Sequence, residues 1–395
     1  MTGTSLGSPV VRHTRHASPV HEPPAAIRAT GIIVVLTVVL AIVAIAFALP
    51  AARSKPHDVP IGAAGPMAAG SEPGTPPLGR GVADILEQHA PGAFRITYYP
   101  GEAALRDAIR NRDVYGGISF GAGHNVAGQA TPEGRTLLIA TGGSPMVAQM
   151  LTQLGNGISQ QTGLPLRTED LAPPTADDPR GAGLVASALP ITLAGLLPAV
   201  ALVLLFKREV WTRFTAAVVF AAVAGTGIAA LMRYVFGSID RNVWGVAAGL
   251  TLGLLAAGLS MLGLGSLFGR FGLAIGALLA LLLGNPLSGL SSAPEMLPTG
   301  WGTLGQWLPQ GANATLLRST AFFGGSGATM AIAVLTGWAL AGAALIAIAT
   351  VRNGKKYAAS RSAQLTYTQA AWDSTTATGC AHCATRSTHA SAARN

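Results

Sequence analysis

The sequence predicts a polytopic α-helical membrane protein with six spans and an extracytoplasmic α/β domain between spans one and two. Half of the 395 residues are hydrophobic and only 11% are charged, whereas ordinary globular domains are about one quarter charged. The apolar residues also occur in long runs, most of which reach the roughly 20 residues that a membrane crossing needs. Residues 53–182 interrupt these runs with strand and helix patterns, which predicts the α/β domain.

The apolar runs predict where the chain crosses the membrane. They cover residues 31–49, 183–206, 214–236, 243–268, 271–284 and 328–351. A signal peptide is the alternative for the first run, but its core exceeds the roughly 7–15 residues of a secretory signal. We therefore predict an uncleaved span over residues 29–52 and a five-span membrane domain over residues 183–351, in which the fifth run is short and broken.

The distribution of charge predicts that both termini are cytoplasmic. If both tails and the turns at 207–213 and 270 face the cytoplasm, that side has 13 of the 26 basic and 3 of the 17 acidic residues. The net charge of +9 then divides into +10 inside and −1 outside. An excess of Lys and Arg in short cytoplasmic loops is the usual pattern. Topology thus explains the basic composition, and no nucleic-acid partner is expected.

The segments outside the membrane differ in pattern. Residues 1–28 and 352–395 lack hydrophobic periodicity and predict disordered cytoplasmic tails. Within residues 53–182, strands are predicted at 59–63 and in "AFRITYYP", "VYGGISF" and "TLLIATG". Helices are predicted in "GEAALRDAIRNR", over 81–88 and over "SPMVAQMLTQLGNGISQQTG", the last with Ser144 as its N-cap. Alternating strands and helices are typical of a small α/β domain.

A broken segment, residues 285–325, lies between the last two apolar runs. Asn285-Pro286 interrupts the fifth run, because proline lacks a donor and clashes with the preceding turn. Backbone groups freed within lipid must be satisfied by protein or water. Trp301 and Trp307, with Leu304 and Leu308, fall near one helical face. The segment is predicted either to re-enter the membrane as a hairpin or to form a plain outer loop with interfacial tryptophans.

The order of segments resembles a known family. One span, a large outer α/β domain, five spans and the run "NPLSGLSSAPEMLPTGWGTLGQWLPQGANATLLRSTAFFGG" look like type 2 ABC exporter permeases. They are most similar to the phage-infection-protein-like branch of actinobacteria, which "VYGGISF" after "EAALRDAIRNR" also resembles. The resemblance covers roughly residues 30–351. It implies a homodimeric or heterodimeric permease with a separate ATPase and without an assigned cargo.

The motifs agree with a chain that depends on a separate motor. The phosphate-binding pattern G-x-x-x-x-G-K-[ST] does not occur. The turn "KREVWTR", with Lys207, Arg208 and Arg213, is a candidate docking surface for an ATPase, although topology alone also explains its charge. The spans contain almost no ionisable residue except Arg233, whereas ion-coupled transporters usually carry acidic residues or His there. Close helix packing is expected at Gly249, Gly253 and Gly258.

No catalytic constellation and no cofactor motif is found, so we predict that the chain is not an enzyme and binds no cofactor. Cys380 and Cys383 have metal-like spacing, but a single pair is a weak signal. The candidate transport-pathway residues are Asn285, Pro286, Trp301 and Trp307. Two functions stay open: an exporter permease in a bacterial plasma membrane that moves an amphipathic or envelope cargo, or a non-transporting surface protein such as a phage receptor, an envelope scaffold or a secretion accessory.

Overall fold

The fold was obtained as a computed structural model. It describes residues 24–65, 84, 86–87, 90–120, 123–124, 130–131, 135–162, 166–179, 181–206, 209–290 and 292–391. The chain divides into two compact units between Ile45 and Ala46. The first unit contains most of helix α1, which spans Ala25–Ala52. All other described elements belong to the second unit.

The second unit combines a mixed sheet with a bundle of apolar helices. Its strands are β1 (Val59–Ala64), β2 (Phe94–Tyr99), β3 (Gly116–Ser119), β4 (Gly123–His124), β5 (Ala130–Thr131), β6 (Thr136–Ile139) and β7 (Arg167–Asp170). Its helices are α2 (Glu102–Arg110), α3 (Pro145–Thr162), α4 (Ala182–Ala186), α5 (Ala188–Leu205), α6 (Val210–Tyr234), α7 (Val243–Phe268), α8 (Arg270–Leu279), α9 (Trp301–Trp307), α10 (Pro309–Phe322) and α11 (Thr329–Ser391).

In the part of the chain that the structure describes, five helical stretches are long and apolar enough to cross a membrane. They are Ala29–Leu49, Ala182–Leu205, Val210–Tyr234, Val243–Phe268 and Thr329–Gln369. A shorter apolar helix, Arg270–Gly284, corresponds to the run that the sequence predicted to be broken. By length and composition these helices agree with the prediction of a polytopic helical membrane protein.

The sheet has five strands in the order β2-β1-β3-β6-β7. β1 pairs in parallel with β2 and β3, β6 pairs in parallel with β7, and β3 and β6 are antiparallel. We call residues 59–172 the sheet region. The strands predicted here are present, as are the helices predicted in "GEAALRDAIRNR" and "SPMVAQMLTQLGNGISQQTG". Most of the helix predicted over 81–88 lies outside the described residues. The structure adds β7 and the two-stranded β4-β5 ladder: β7 is polar and charged, with the sequence RTED, and β4 and β5 have two residues each, so none of them shows a strand pattern in the sequence.

An arginine fork connects helix α2 to the edge strand β7. Arg106 donates from Nη1 and Nη2 to the two carboxylate oxygens of Glu169, at 2.6 Å each, and from Nε to Glu102 at 2.9 Å. The hydrogen bond from Arg106 lowers the pKa of Glu169 below its ordinary value, although burial opposes the shift. A depressed folded-state pKa stabilises the fold above the unfolded value and loses that stabilisation as the pH falls.

We therefore expect the fork to make the sheet region sensitive to acid. Below pH 4.5, the ordinary value for this carboxyl, the wild-type protein should lose thermal stability more steeply than Glu169→Gln. The difference should be small because Glu169 is partly exposed. Melting temperatures measured from neutral pH downward test this, and parallel curves for the two proteins would contradict it.

Helix α7 is the central helix of the bundle and packs against α5, α6, α10 and α11. Its glycines allow this packing within the chain. A side chain at Gly253 would collide with Asn313 of α10, and one at Gly249 would touch Leu316. The small residues for which the sequence predicted close packing therefore face neighbours in the same protein.

The C-terminal tail differs from its prediction. The sequence predicted disorder over residues 352–395, but helix α11 continues without a break to Ser391. The physical reason is that this stretch contains no proline and is rich in alanine, so nothing stops a helix that the apolar half has already nucleated. The side chains of Cys380 and Cys383 lie outside the described part of the structure.

Candidate functional site at the junction of the sheet region and the hairpin

The broken segment is a compact hairpin of short elements, residues 285–325. Helix α8 widens into a π-helical turn at Ala280–Gly284 and then stops. Asn285 closes this turn by donating its N–H to the Ala280 carbonyl at 3.1 Å, and its own carbonyl accepts from Ser288 Oγ at 2.8 Å. Pro286 lies half-buried in the turn that follows. The helix therefore ends, as predicted, at Asn285-Pro286, directly after a π turn, and the N–H and carbonyl of Asn285 are both bonded within the protein.

Glycines allow the two limbs of the hairpin to touch through their backbones. Behind the turn comes a single 3₁₀ turn, Pro294–Met296, and then helix α9. A Cβ atom on Gly302 would overlap the carbonyl of Pro294, and one on Gly305 would overlap the carbonyl of Leu287. The first limb of the hairpin, residues 287–294, and the second, residues 301–305, are thus packed more closely than any residue with a side chain would permit.

The aromatic side chains of α9 lie on one exposed face. Trp301 and Trp307 are 39% and 56% exposed, and Leu304 between them is 50% exposed. The backbone carbonyl of Trp307 accepts a hydrogen bond of 2.8 Å from the indole of Trp338 on α11. The predicted amphipathic element is therefore present, and it is attached to the last apolar helix.

The chain before β1 pairs with the tip of the hairpin. The backbone N–H groups of Lys55 and His57 donate to the carbonyls of Met296 and Glu295, at 3.1 and 3.0 Å. The hydroxyl of Ser54 also donates to the Met296 carbonyl, at 2.8 Å. The segment that leads into β1 is thus hydrogen-bonded through its backbone to the tip of the hairpin.

The hairpin also completes hydrophobic cores on both sides of the sheet region. Ala293 and Met296 belong to the buried cluster that contains Val59, Leu137 and Val147. On the other side, Phe322 and Phe323 pack against the cluster that contains Leu105, Ile109 and Leu138. The sheet region and the hairpin therefore share buried cores.

A partly buried tyrosine–glutamate pair connects the sheet region to the hairpin. The hydroxyl of Tyr115, at the start of β3, donates to Glu295 Oε2 at 2.9 Å. Burial raises the pKa of Tyr115 well above its ordinary value, and the negative charge of Glu295 raises it further. The nearby positive charges of Arg112 and Arg318 act in the opposite direction. Tyr115 is therefore held as a neutral donor for the carboxylate.

Arg112 crosses the junction from the sheet region. Its Nη1 donates to the carbonyl of Thr315 at 3.0 Å and to the hydroxyl of Ser319, and its guanidinium lies 5.3 Å from the ring centre of Phe323. Burial lowers the pKa of Arg112. Its backbone has φ of 66° directly after helix α2, a conformation that costs about 1 kcal/mol or more in a residue other than glycine. The fold thus maintains a strained backbone at the residue that reaches the hairpin.

Arg318 on α10 is the second buried arginine of the junction. It is only 3% exposed. Its Nη1 and Nη2 donate to the carbonyls of Gly289 and Leu290, at 2.8 and 2.5 Å. These two carbonyls follow the π turn, so Arg318 fixes the path of the chain where it leaves the broken helix.

These residues surround a cavity of about 580 Å³, which we call the junction cavity. Its charged lining consists of Asp58, Arg95, Arg112, Glu295 and Arg318. Two of its lining residues, His57 and Gln306, each have a buried side-chain nitrogen, Nδ1 and Nε2, that has no hydrogen-bond partner among the described residues. A cavity of this size, with polar groups that have no partner, is typical of a ligand site.

A second, smaller polar site lies inside the helix bundle. Asn285 and Asn313 line a narrow cavity of about 30 Å³ together with Gln310. Asn313 Oδ1 is buried without a hydrogen-bond partner in the described residues. This space is about large enough for one or two water molecules and too small for a cargo. Of the four candidate pathway residues, the structure places Asn285 here and Trp307 at the junction cavity.

The candidate docking residues divide into two groups. Lys207 and Arg208 lie outside the described residues. Arg213 is 4% exposed, and its guanidinium donates to the carbonyl of Phe206 and to Ser266 Oγ, the latter at 3.4 Å. Arg213 therefore stabilises its own turn. The contact with Ser266 also brings this turn to the same end of the bundle as the turn at Gly269.

Sequence reasoning missed Arg112, Tyr115, Glu295 and Arg318. They lie in three different segments, and no spacing rule connects residues so far apart in the chain. One signal was present: Glu295 and Arg318 are charged residues within an otherwise apolar hairpin, which indicates buried partners. Among the described residues, no group of three or more His, Cys, Asp or Glu side chains is placed to hold a metal ion.

Removal of the Tyr115 hydroxyl should weaken the junction. Tyr115→Phe leaves the partly buried carboxylate of Glu295 without its donor, at a cost of about 1.5 kcal/mol, the lower end for a hydrogen bond to a charged group. A raised folded-state pKa gives stability that is present below the unfolded value and lost as the pH rises. The wild type should therefore lose stability as the pH rises above 10.0, and Tyr115→Phe should lose less. Thermal unfolding against pH measures both effects, with the exposed Tyr367→Phe as control; equal curves for all three proteins would exclude the expected role.

Comparison of the chain with protein-family models, characterised proteins and solved structures gives no match. The class of the protein therefore rests on its own architecture. Five apolar helices of membrane-crossing length place it among helical membrane proteins with several crossings.

Proposed function

We propose that the chain is the membrane permease subunit of an ABC-type exporter and that a separate ATPase powers it. The observation that carries the proposal is the shared core of the junction, in which a sheet region is packed on a hairpin that interrupts the apolar helices. A plain anchor needs one span and no such contact. A permease in which the sheet region acts on the helix bundle needs a shared core of this kind, because movement of one must be passed to the other.

The proposal gives each part of the fold a role. Helix α8 with its π turn is the short fifth of six crossings, and the hairpin re-enters the membrane from outside and closes the transport route. The sheet region is extracytoplasmic and receives or gates an amphipathic or cell-envelope cargo. Both termini are cytoplasmic in a bacterial plasma membrane, and two such chains, identical or related, form the permease. The chain itself carries out no catalytic step and needs no cofactor.

The distribution of polar groups supports transport by a separate motor. The sequence has no P-loop. Helix α6 has two arginines, one near each end. Arg213 bonds to the Phe206 carbonyl and Ser266, and Arg233 bonds to the Ile239 carbonyl and to Asp240, at 2.8 and 3.0 Å. An arginine in these contacts is a structural residue of the helix end and not part of an ion-coupling relay within the membrane.

The rival proposal is a surface protein that does not transport, such as a phage receptor, an envelope scaffold or a secretion accessory. The exposed tryptophans of α9 favour it to the extent that an external partner could bind them. The helix bundle counts against it, because five apolar helices exceed the needs of an anchor.

Purification of the full chain from native membranes in mild detergent, with mass spectrometry of bound proteins, tests the proposal. We expect a stoichiometric P-loop ATPase that is lost from the double variant Lys207→Ala, Arg208→Ala. Arg213 is left unchanged because it stabilises the turn. The matched control, Arg352→Ala with Lys355→Ala, removes the same charge from the exposed start of the C-terminal tail and should retain the ATPase.

Recovery of envelope or secretion proteins only, with no nucleotide-binding chain, would reject the permease and leave the surface protein. Equal loss of the ATPase from both double variants would show that net charge, and not the turn, mediates binding.

A further inference from the structure

The junction cavity has more positive than negative charge in its wall. Three arginines, Arg95, Arg112 and Arg318, line it against two carboxylates. Among the described residues none of the three forms an ion pair within 4.0 Å. The carboxylate of Glu295 is instead bonded by the Tyr115 hydroxyl. The wall of the cavity therefore carries one more positive than negative charge.

Arg112 is partly buried and Arg318 is buried, and both are hydrogen-bonded only to neutral oxygens. They donate to backbone carbonyls and to one hydroxyl. Glu295 is the carboxylate whose charge acts on both of them. Two cations that share one counter-charge away from water are unfavourable. A ligand with several anionic oxygens would supply the second counter-charge.

The backbone supports the same conclusion independently. The described non-glycine residues with positive φ are Asp58, Arg112 and Asn242, and the first two line this cavity. Strained residues of this kind persist where the surrounding fold requires them and are concentrated at binding sites.

One side of the cavity is apolar and belongs to a candidate membrane span. Met330 and Val334 lie in the first two turns of α11 and line the cavity with Trp307 and Leu297. Met330 and Trp307 are largely exposed. A bound molecule would therefore meet both guanidinium groups and the apolar side chains of a candidate membrane helix.

We propose that the junction cavity binds a phosphate group, presented by an amphiphile whose hydrocarbon part lies against the apolar side. Guanidinium groups bind phosphate through paired N–H bonds. A phosphate offers more acceptor oxygens to three arginines than a carboxylate does. A volume of about 580 Å³ accommodates a headgroup and exceeds a lone ion. The inference rests on the proposed function only in naming a class of cargo; binding itself needs no ATPase.

Arg95 gives the cleanest test because it lines the cavity from an exposed position on β2. Arg95→Gln should fold normally and bind the ligand roughly tenfold more weakly, the equivalent of one charge-assisted hydrogen bond. The matched control is Arg167→Gln, an exposed arginine on the opposite edge strand of the same sheet.

Two arms of the experiment separate the sources of phosphate. In the first, the purified full chain is incubated with mixed vesicles of phosphatidylglycerol and a phosphate-free galactolipid, and native mass spectrometry counts the lipids retained. In the second, the chain in a phosphate-free maltoside detergent is titrated with inorganic phosphate while thermal unfolding is followed. Selective retention of phosphatidylglycerol by the wild type and by Arg167→Gln, but not by Arg95→Gln, supports the lipid source.

Stabilisation by inorganic phosphate that Arg95→Gln alone loses supports the site and assigns it to a soluble phosphate compound. No selective effect in either arm, or equal effects in both variants, overturns the proposal. A failed pull-down of the ATPase with intact lipid binding would reject the exporter and leave the site.

Discussion

Replacement of Gly305 by alanine is expected to destabilise the protein strongly. The added methyl group would overlap the carbonyl of Leu287. The methyl group is fixed to the helix backbone and the carbonyl belongs to the backbone, so the overlap cannot be relieved by rotating a flexible side chain. Overpacking costs about 1–3 kcal/mol, and a backbone collision should reach the upper end. The thermal unfolding temperature of the detergent-purified chain should fall by several degrees, and proteolysis within residues 285–325 should become faster.

Gly337→Ala provides the matched control. A Cβ atom at Gly337 on helix α11 meets nothing within 4 Å, and alanine favours a helix over glycine by about 1 kcal/mol. This variant should be as stable as the wild type or slightly more so. An unchanged unfolding temperature for Gly305→Ala would show that the limbs of the hairpin are not closely packed.

Replacement of Arg318 by methionine should cost about as much, for a different reason. Methionine retains the apolar length but leaves the carbonyls of Gly289 and Leu290 without donors. Each hydrogen bond to a charged group contributes about 1.5–3 kcal/mol. We expect a fall in the unfolding temperature at least equal to that of Tyr115→Phe, with loss of the fixed path after the π turn.

Arg318→Lys separates charge from geometry. It retains the positive charge, but a single ammonium group lacks the planar fork that reaches both carbonyls, so its stability should lie between those of the wild type and Arg318→Met. Arg110→Met is the control, because Arg110 is exposed and its one ion pair among the described residues, with Asp107, is long at 3.9 Å. This variant should have the same unfolding temperature as the wild type. If Arg318→Met also has the unfolding temperature of the wild type, the buried arginine does not stabilise the hairpin.

Local pattern was sufficient to predict most elements of the fold. Ser144 followed by Pro145 predicted the start of helix α3, and the structure places Ser144 Oγ 3.4 Å from the N–H of Val147. The break at Asn285-Pro286 was predicted because proline cannot continue a helix. The tryptophan face of α9 followed from helical spacing. These features depend on residues that are close in the chain.

The junction could not be predicted because it depends on residues that are far apart. Tyr115 and Glu295 are 180 positions apart, and Arg112 and Ser319 are 207 apart. In the sequence, Arg112 was simply the end of a helix with several charged residues. A charge at a helix end is usually solvated, and only the packing of the hairpin makes this one buried. The same reason explains why Arg213 was predicted to be exposed.

The shared cores have a consequence for how the protein is made. Strand β7 ends at Asp170, whereas the hairpin begins at residue 285. At roughly 5–20 residues per second, the ribosome delivers the hairpin on the order of ten seconds after the last strand. Until then the apolar surfaces that Met296 and Phe322 will cover stay open. The uncovered faces of the sheet must therefore be protected from aggregation while three apolar helices of membrane-crossing length and the shorter helix α8 are synthesised.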